Sequence, residues 1–220
     1  MVPEGFAAGK VIFRTTHSAV ALAKRDSDGL QCVVKEFFLE DASERAKNEV
    51  AFLLSLPAHP NVVAVVLDGT DDAAHPHFVM PMGGREVWNV PLGVPQLRLV
   101  AAAAANGLAH CHANGVWHLD VKQENVLVGP GLEVTVIDFD CAVASDGLPF
   151  KVLTKMRGTH GLVAPEMVTE KLCGPFSDVF SLGAMITELG LGDDCERLGM
   201  KRGAHAARPT MPQVADALRC

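Results

Sequence analysis

The chain has 220 residues, 49% hydrophobic and 20% charged, enough apolar content to bury a core or two small lobes and too much for a disordered tail. Nineteen Lys and Arg against 26 Asp and Glu give a formal net charge of -7, and no basic block is long enough to track a phosphate backbone, which sets nucleic acid aside as a main partner. Apolar runs such as Val62 to Leu67 fall far short of the roughly 20 residues a bilayer requires, and Met1-Val2-Pro3-Glu4-Gly5 is no basic-then-apolar leader, so an intracellular, cytoplasmic protein without a membrane span is expected. Six cysteines, at 32, 111, 141, 173, 195 and 220, make no C-x-x-C pair and read as reduced thiols.

In chain order, Lys10 to Phe13, Ala19 to Lys24 and Cys32 to Phe38 carry β-prone residues, and Asp26-Ser27-Asp28-Gly29 turns the last two into a hairpin. From Ser43, Ala46, Val50, Leu53 and Leu54 recur at helical spacing until Pro57 and His59-Pro60-Asn61 break the pattern. Val62 to Leu67 and His77 to Met80 read as two more strands. The character changes at Gly83-Gly84, where Leu97, Val100, Ala101, Ala104, Leu108 and Cys111 form one helical stripe ending at Gly115. Val126 to Val128 and Val134 to Ile137 are expected to form a β-hairpin, and Phe176 to Leu191 and Met211 to Leu218 two further helices. The expectation is an α+β chain: residues 1–82 a small antiparallel sheet with one helix, residues 83–220 mainly helical.

The polar set between these elements carries the chemistry. His118-Leu119-Asp120-Val121-Lys122-Gln123-Glu124-Asn125 precedes the hairpin and Asp138-Phe139-Asp140 follows it, so two loops leaving its ends can bring Asp120, Asn125 and Asp138 around a metal and a phosphate. Phosphoryl transfer needs a carboxylate to orient and deprotonate a hydroxyl, and an amide and a second carboxylate to hold the metal. Lys122 lies two residues past Asp120, on the same side, where it can neutralise developing charge.

On these residues the chain resembles the eukaryotic-type protein kinase family over nearly its full length. Cys32-Val33-Val34-Lys35 is similar to the strand that supplies the phosphate lysine, and Glu49 to its helical partner. The stretch Leu108 to Val116 resembles the helix leading to the catalytic loop. Gly158 to Glu166 resembles the end of the activation segment, Asp178 to Gly183 the start of the central helix, and Ala207-Arg208-Pro209-Thr210 the late arginine motif. The resemblance implies a two-lobed kinase-like fold and transfer of the ATP γ-phosphoryl group to serine or threonine of a protein substrate. It implies Asp120 as base, Lys122 near the γ-phosphate, Lys35 with Glu49 on the other phosphates, and Asn125 with Asp138 on Mg2+, with Mn2+ an alternative. Glu166 and Arg208 are implied as a structural pair.

The pattern also departs from the family. The glycine-rich loop falls on Phe13 to Val20 and contains none of the three glycines, so Thr15, Thr16 or Ser18 would have to reach the phosphates. Leu119 stands where the family has an arginine, and Asp140 where it has a glycine. At the hinge, Met80-Pro81-Met82 leaves the Pro81 carbonyl and the Met82 amide and carbonyl to meet adenine. Only 25 positions separate Gly183 from Arg208, so the apolar circumference of the Phe176 to Leu191 helix needs cover. Either Met200, Met211, Val214 and Leu218 fold back over it, or self-association or another partner supplies the cover. A pseudokinase serving as a nucleotide-binding or protein-interaction scaffold is the alternative function, and a small-molecule phosphotransferase a third.

Overall fold

The structure is a computed structural model and describes residues 3–38, 42–72 and 74–219, without the side chains of 42 and 43; Cys220 lies outside these residues. Its backbone divides into two compact units, residues 1–58 with 63–82, and residues 59–62 with 83–220.

In the first unit, β1 (Phe6–Arg14), β2 (Ser18–Arg25) and β3 (Gln31–Phe37) are followed by α1 (Ala42–Ser55), β4 (Leu67–Gly69) and β5 (His77–Pro81). The strands form one sheet in the order β1-β2-β3-β5-β4, antiparallel throughout. Alternation explains the register: Cys32 and Val34 of β3 join Ala23 and Val79 in a buried cluster. The helix buries Ala46, Val50 and Leu53, whereas Leu54, on the same expected stripe, is exposed. The apolar run Val62 to Leu67 is a strand only at its last residue. Its first residues serve the second unit instead: Val62 makes a parallel bridge to Val136, and the Asn61 side chain donates to the Val134 carbonyl at 2.8 Å. Tertiary hydrogen bonding there overrides a β-prone run.

The second unit contains β6 (Arg85–Glu86), α2 (Val94–Ala113), β7 (Val116–Trp117), β8 (Val126–Val128), β9 (Val134–Val136), β10 (Val143–Ala144), β11 (Lys151–Val152), α3 (Pro165–Thr169), β12 (Leu172–Cys173), α4 (Pro175–Glu188), α5 (Gly192–Leu198) and α6 (Met211–Leu218). Its alanines let α2 pack closely: Ala101, Ala102, Ala104 and Ala105 are buried, and a Cβ on Gly107 would come within 2.6 Å of the Asn61 carbonyl oxygen. The hairpin of β8 and β9 is antiparallel, with Val126 opposite Val136.

The cover for α4 comes from within. Leu182, Met185 and Ile186 share one buried cluster with Met200, Met211, Val214 and Leu218, so the chain folds back over the helix and burial requires no second molecule. Each fully buried side chain of that kind contributes about 1.5–3 kcal/mol. Phe180 is covered from another side, with the Arg208 guanidinium 5.0 Å from its ring centre. The short helix α5 was not expected, because its sequence Gly192 to Leu198 is mostly charged; it is tied down by Asp194, which accepts from Arg98 at 2.8 Å and Arg197 at 3.0 Å. Among the described residues, no helix is long and apolar enough to cross a membrane.

Candidate active site

In the first unit, strand alternation turns Lys35 inward, and α1 presents Glu49 to it. The ammonium donates to both carboxylate oxygens, at 2.9 and 2.7 Å, with Lys35 8% and Glu49 1% exposed. Burial at this level leaves an ion pair of fixed geometry rather than a solvated surface contact.

The expected phosphate loop is a tight turn between β1 and β2. Thr15 Oγ1 accepts the amides of His17 at 3.1 Å and Ser18 at 3.0 Å, and the Thr15 amide donates to the Ser18 carbonyl at 2.8 Å. A hydroxyl already holding two amides of its own turn is a structural group, and Ser18 Oγ sits 3.4 Å from it. Met80 is buried and Met82 exposed. The Met82 amide, expected to meet adenine, donates to the Gln31 carbonyl at 3.0 Å and so extends the β3–β5 ladder; only its carbonyl and side chain remain for a ligand.

In the second unit, the loop after β7 is fixed by a residue far along the chain. Asp178, fully buried in the first turn of α4, accepts the backbone amides of His118 at 2.9 Å and Leu119 at 2.7 Å, and His112 Nε2 at 2.7 Å. Burial alone would raise its carboxyl, but the bond to His112 and these amides hold it below the usual carboxylate range. His118 accepts the Asp120 amide at Nδ1, 3.2 Å, and donates from Nε2 to the Ile137 carbonyl, 3.0 Å, which defines one neutral tautomer. Its ring meets the edge of the buried Phe139 at 4.9 Å between centres.

Three side chains converge on Asp120. Thr159 donates to Oδ1 at 2.7 Å, Lys122 to Oδ2 at 2.6 Å, and the Asn125 amide nitrogen to the Asp120 carbonyl at 2.9 Å. Lys122 also donates to Thr159 Oγ1 at 3.0 Å, closing a triangle of carboxylate, ammonium and hydroxyl. Burial opposes the charge on Lys122, but its bond to Asp120 and the nearby Asp138 raise its pKa above the ordinary lysine value. The Ile137 amide donates to the Asn125 carbonyl at 3.0 Å, which joins the two ends of the hairpin one residue before Asp138. Asp138 adopts φ of 67°, a left-handed conformation uncommon for a residue with a side chain.

Glu166 and Arg208 form a further buried pair, at 2.7 and 2.8 Å. Arg208 places two further donors on the carbonyls of Phe176, 3.0 Å, and Arg202, 2.8 Å, and so ties α3 and α4 to the chain before α6. Sequence reasoning missed Asp178 and His112 as the supports of the loop at 118–125. The sequence shows Asp178 only as an acid near the start of a largely apolar helix, where acids are common, so nothing local marked it out.

Comparison with known proteins agrees with this layout. The protein kinase domain profile matches residues 7–207. The chain is 32% identical, over 92% of its length, to serine/threonine-protein kinase PBL27 of Arabidopsis thaliana. It is 31% identical over 74% of its length to a probable receptor-like protein kinase, and 33% over 79% to calcium-dependent protein kinase 10, both of the same plant. It spans 42%, 40% and 31% of those three proteins, respectively. The chain belongs to the protein kinase domain family.

Proposed function

We propose that this chain is a serine/threonine protein kinase, a divergent and minimal member of its family, in which Asp120 accepts the proton of a substrate hydroxyl. The observation that carries the reading is the Asp120 carboxylate, oriented by Thr159 and Lys122 and anchored through Asn125. A carboxylate held from both oxygens is preorganised for a hydroxyl, and Lys122 sits where it neutralises charge developing on the transferred group. Residues 1–82 supply the nucleotide contacts, with Lys35 and Glu49 directed at the α- and β-phosphates and Met80 and the Met82 carbonyl at the base. Residues 83–220 supply the catalytic and metal loops.

Asn125 and Asp138 fit a hard divalent ion. With its nitrogen committed to Asp120, Asn125 has its side-chain oxygen to offer, and Asp138, one residue past the Ile137 amide bonded to the Asn125 carbonyl, would add a carboxylate. Two protein oxygens would suit Mg2+, which takes one or two of them and completes its shell with water and phosphates. The bound ion supplies neutralisation of phosphate charge. The five described cysteines are free thiols, which supports an intracellular setting.

The self-closed turn at Thr15 favours a second reading, a nucleotide-binding scaffold, because no glycine lets the backbone there approach phosphates. A transfer assay with generic protein substrates, ATP and Mg2+ or Mn2+ separates the two. Phosphate incorporation that disappears in Asp120→Asn supports the kinase; ATP binding without incorporation leaves the scaffold.

A further inference from the structure

We infer that Leu153 is a positioning residue for this reaction, keeping Thr159 against Asp120 by burying the segment before it on Leu119; the inference rests on Asp120 acting as the base. Leu119, directly before Asp120, has φ of 61°, a strained value for a leucine. Its amide is held by Asp178 at 2.7 Å, and its side chain, 2% exposed, lies in an apolar cluster with Trp117, Leu153, Ala164, Met167 and Cys173. Leu153 belongs to an otherwise outward-facing stretch: Val152 is 68% exposed, and 154–156 are exposed too, while Leu153 is 7% exposed. Its amide donates to the Lys171 carbonyl at 2.7 Å, just past the β11–β12 pairing.

The segment then returns to the same leucine. Gly158 adopts φ of 88°, and a Cβ there would come within 2.5 Å of the Leu119 carbonyl oxygen, so the backbone lies flat against Leu119. The next residue, Thr159, donates to Asp120. Leu153, in the apolar cluster that holds Leu119, and Gly158, against the Leu119 carbonyl, thus fix the two ends of a short span by burial and close approach without charge. Loosening the Leu153 end lets Thr159 drift from Asp120 and leaves Lys35, Glu49 and the base-binding strand untouched.

The test uses the full chain with Leu153→Ala, the milder Leu153→Val, the rescue variant Leu153→Met and the outward control Val152→Ala. Expected is a fall in kcat of roughly tenfold to a hundredfold for Leu153→Ala, the scale of a displaced catalytic group. Leu153→Val should fall between, Leu153→Met should recover, and Val152→Ala should match the wild type. KM for ATP and the thermal shift with ATP and Mg2+ stay unchanged. An unchanged kcat in Leu153→Ala overturns the inference, as does a loss of kcat and ATP binding together that Leu153→Met does not restore. Should the wild type transfer no phosphate, the kinase reading fails on its own. Limited proteolysis then decides the anchor: faster cleavage within 154–157 in Leu153→Ala supports it, and equal rates overturn it.

Discussion

The turn at 15–17 and the loop at 118–125 carry two halves of the chemistry expected of this family, and they are held in opposite ways. The turn is exposed and holds itself, with the Thr15 hydroxyl accepting the amides of His17 and Ser18. The loop is largely buried and held from outside, by Asp178 from 59 and 60 positions away and Thr159 from 39. A locally closed turn tolerates change in what it contacts, and three glycines have gone from it. A loop built on long-range bonds to a buried carboxylate cannot lose one partner without stranding another.

The largest effect that sharpens this contrast is expected from Asp178→Ala. It strands two buried amides and His112, and should cost about 3–5 kcal/mol in denaturant unfolding, the range for breaking a buried charged network. A loss no larger than that of Thr15→Ala would break the comparison.

Next is Asp138→Asn, which should abolish most of the Mg2+-dependent stabilisation by ATP, about 2.7 kcal/mol at a hundredfold excess over Kd, and leave the nucleotide-free melting temperature near that of the wild type. Titration of ATP with and without Mg2+ measures both. Unchanged metal-dependent affinity would remove Asp138 from the metal site.

The pH dependence of stability tests the same buried carboxylate without replacing its contacts. Asp178 has a folded pKa below its unfolded one, so its contribution is fully present above the unfolded value of about 3.9 and is lost as pH falls through the lower folded value. Melting temperatures from pH 6 downward should therefore fall more steeply below about pH 4 in the wild type than in Asp178→Asn. Parallel curves would contradict the assigned shift.

Smallest is Thr15→Ala, expected to cost about 1 kcal/mol, the net worth of ordinary hydrogen bonds at an exposed turn. Its companion, glycine at 13, 15 and 18 together, should tighten ATP binding by thermal shift, since the backbone regains access to phosphates. Weaker binding in the glycine variant would mean that the closed turn itself serves the nucleotide.

Much of this was legible before any coordinates. The alternation of Cys32 to Lys35, the helical stripe carrying Glu49, and the order of Asp120, Asn125 and Asp138 around an apolar hairpin are local patterns with fixed periods. Such patterns were enough for the α+β character, the strands β1 to β3 and the helices α1, α2, α4 and α6, whereas the candidate site residues came from the resemblance to the kinase family. What periodicity does not encode is which distant group a polar atom meets. Only the tertiary structure gave the Met82 amide to Gln31, spent the Thr15 hydroxyl on its own turn, drew Val62 to Val136 instead of into the first sheet, and folded Met200 and Leu218 over α4. The same holds for Asp178: its carboxylate reads as one more helix-start acid until packing buries it, and burial is what obliges it to find the amides of His118 and Leu119.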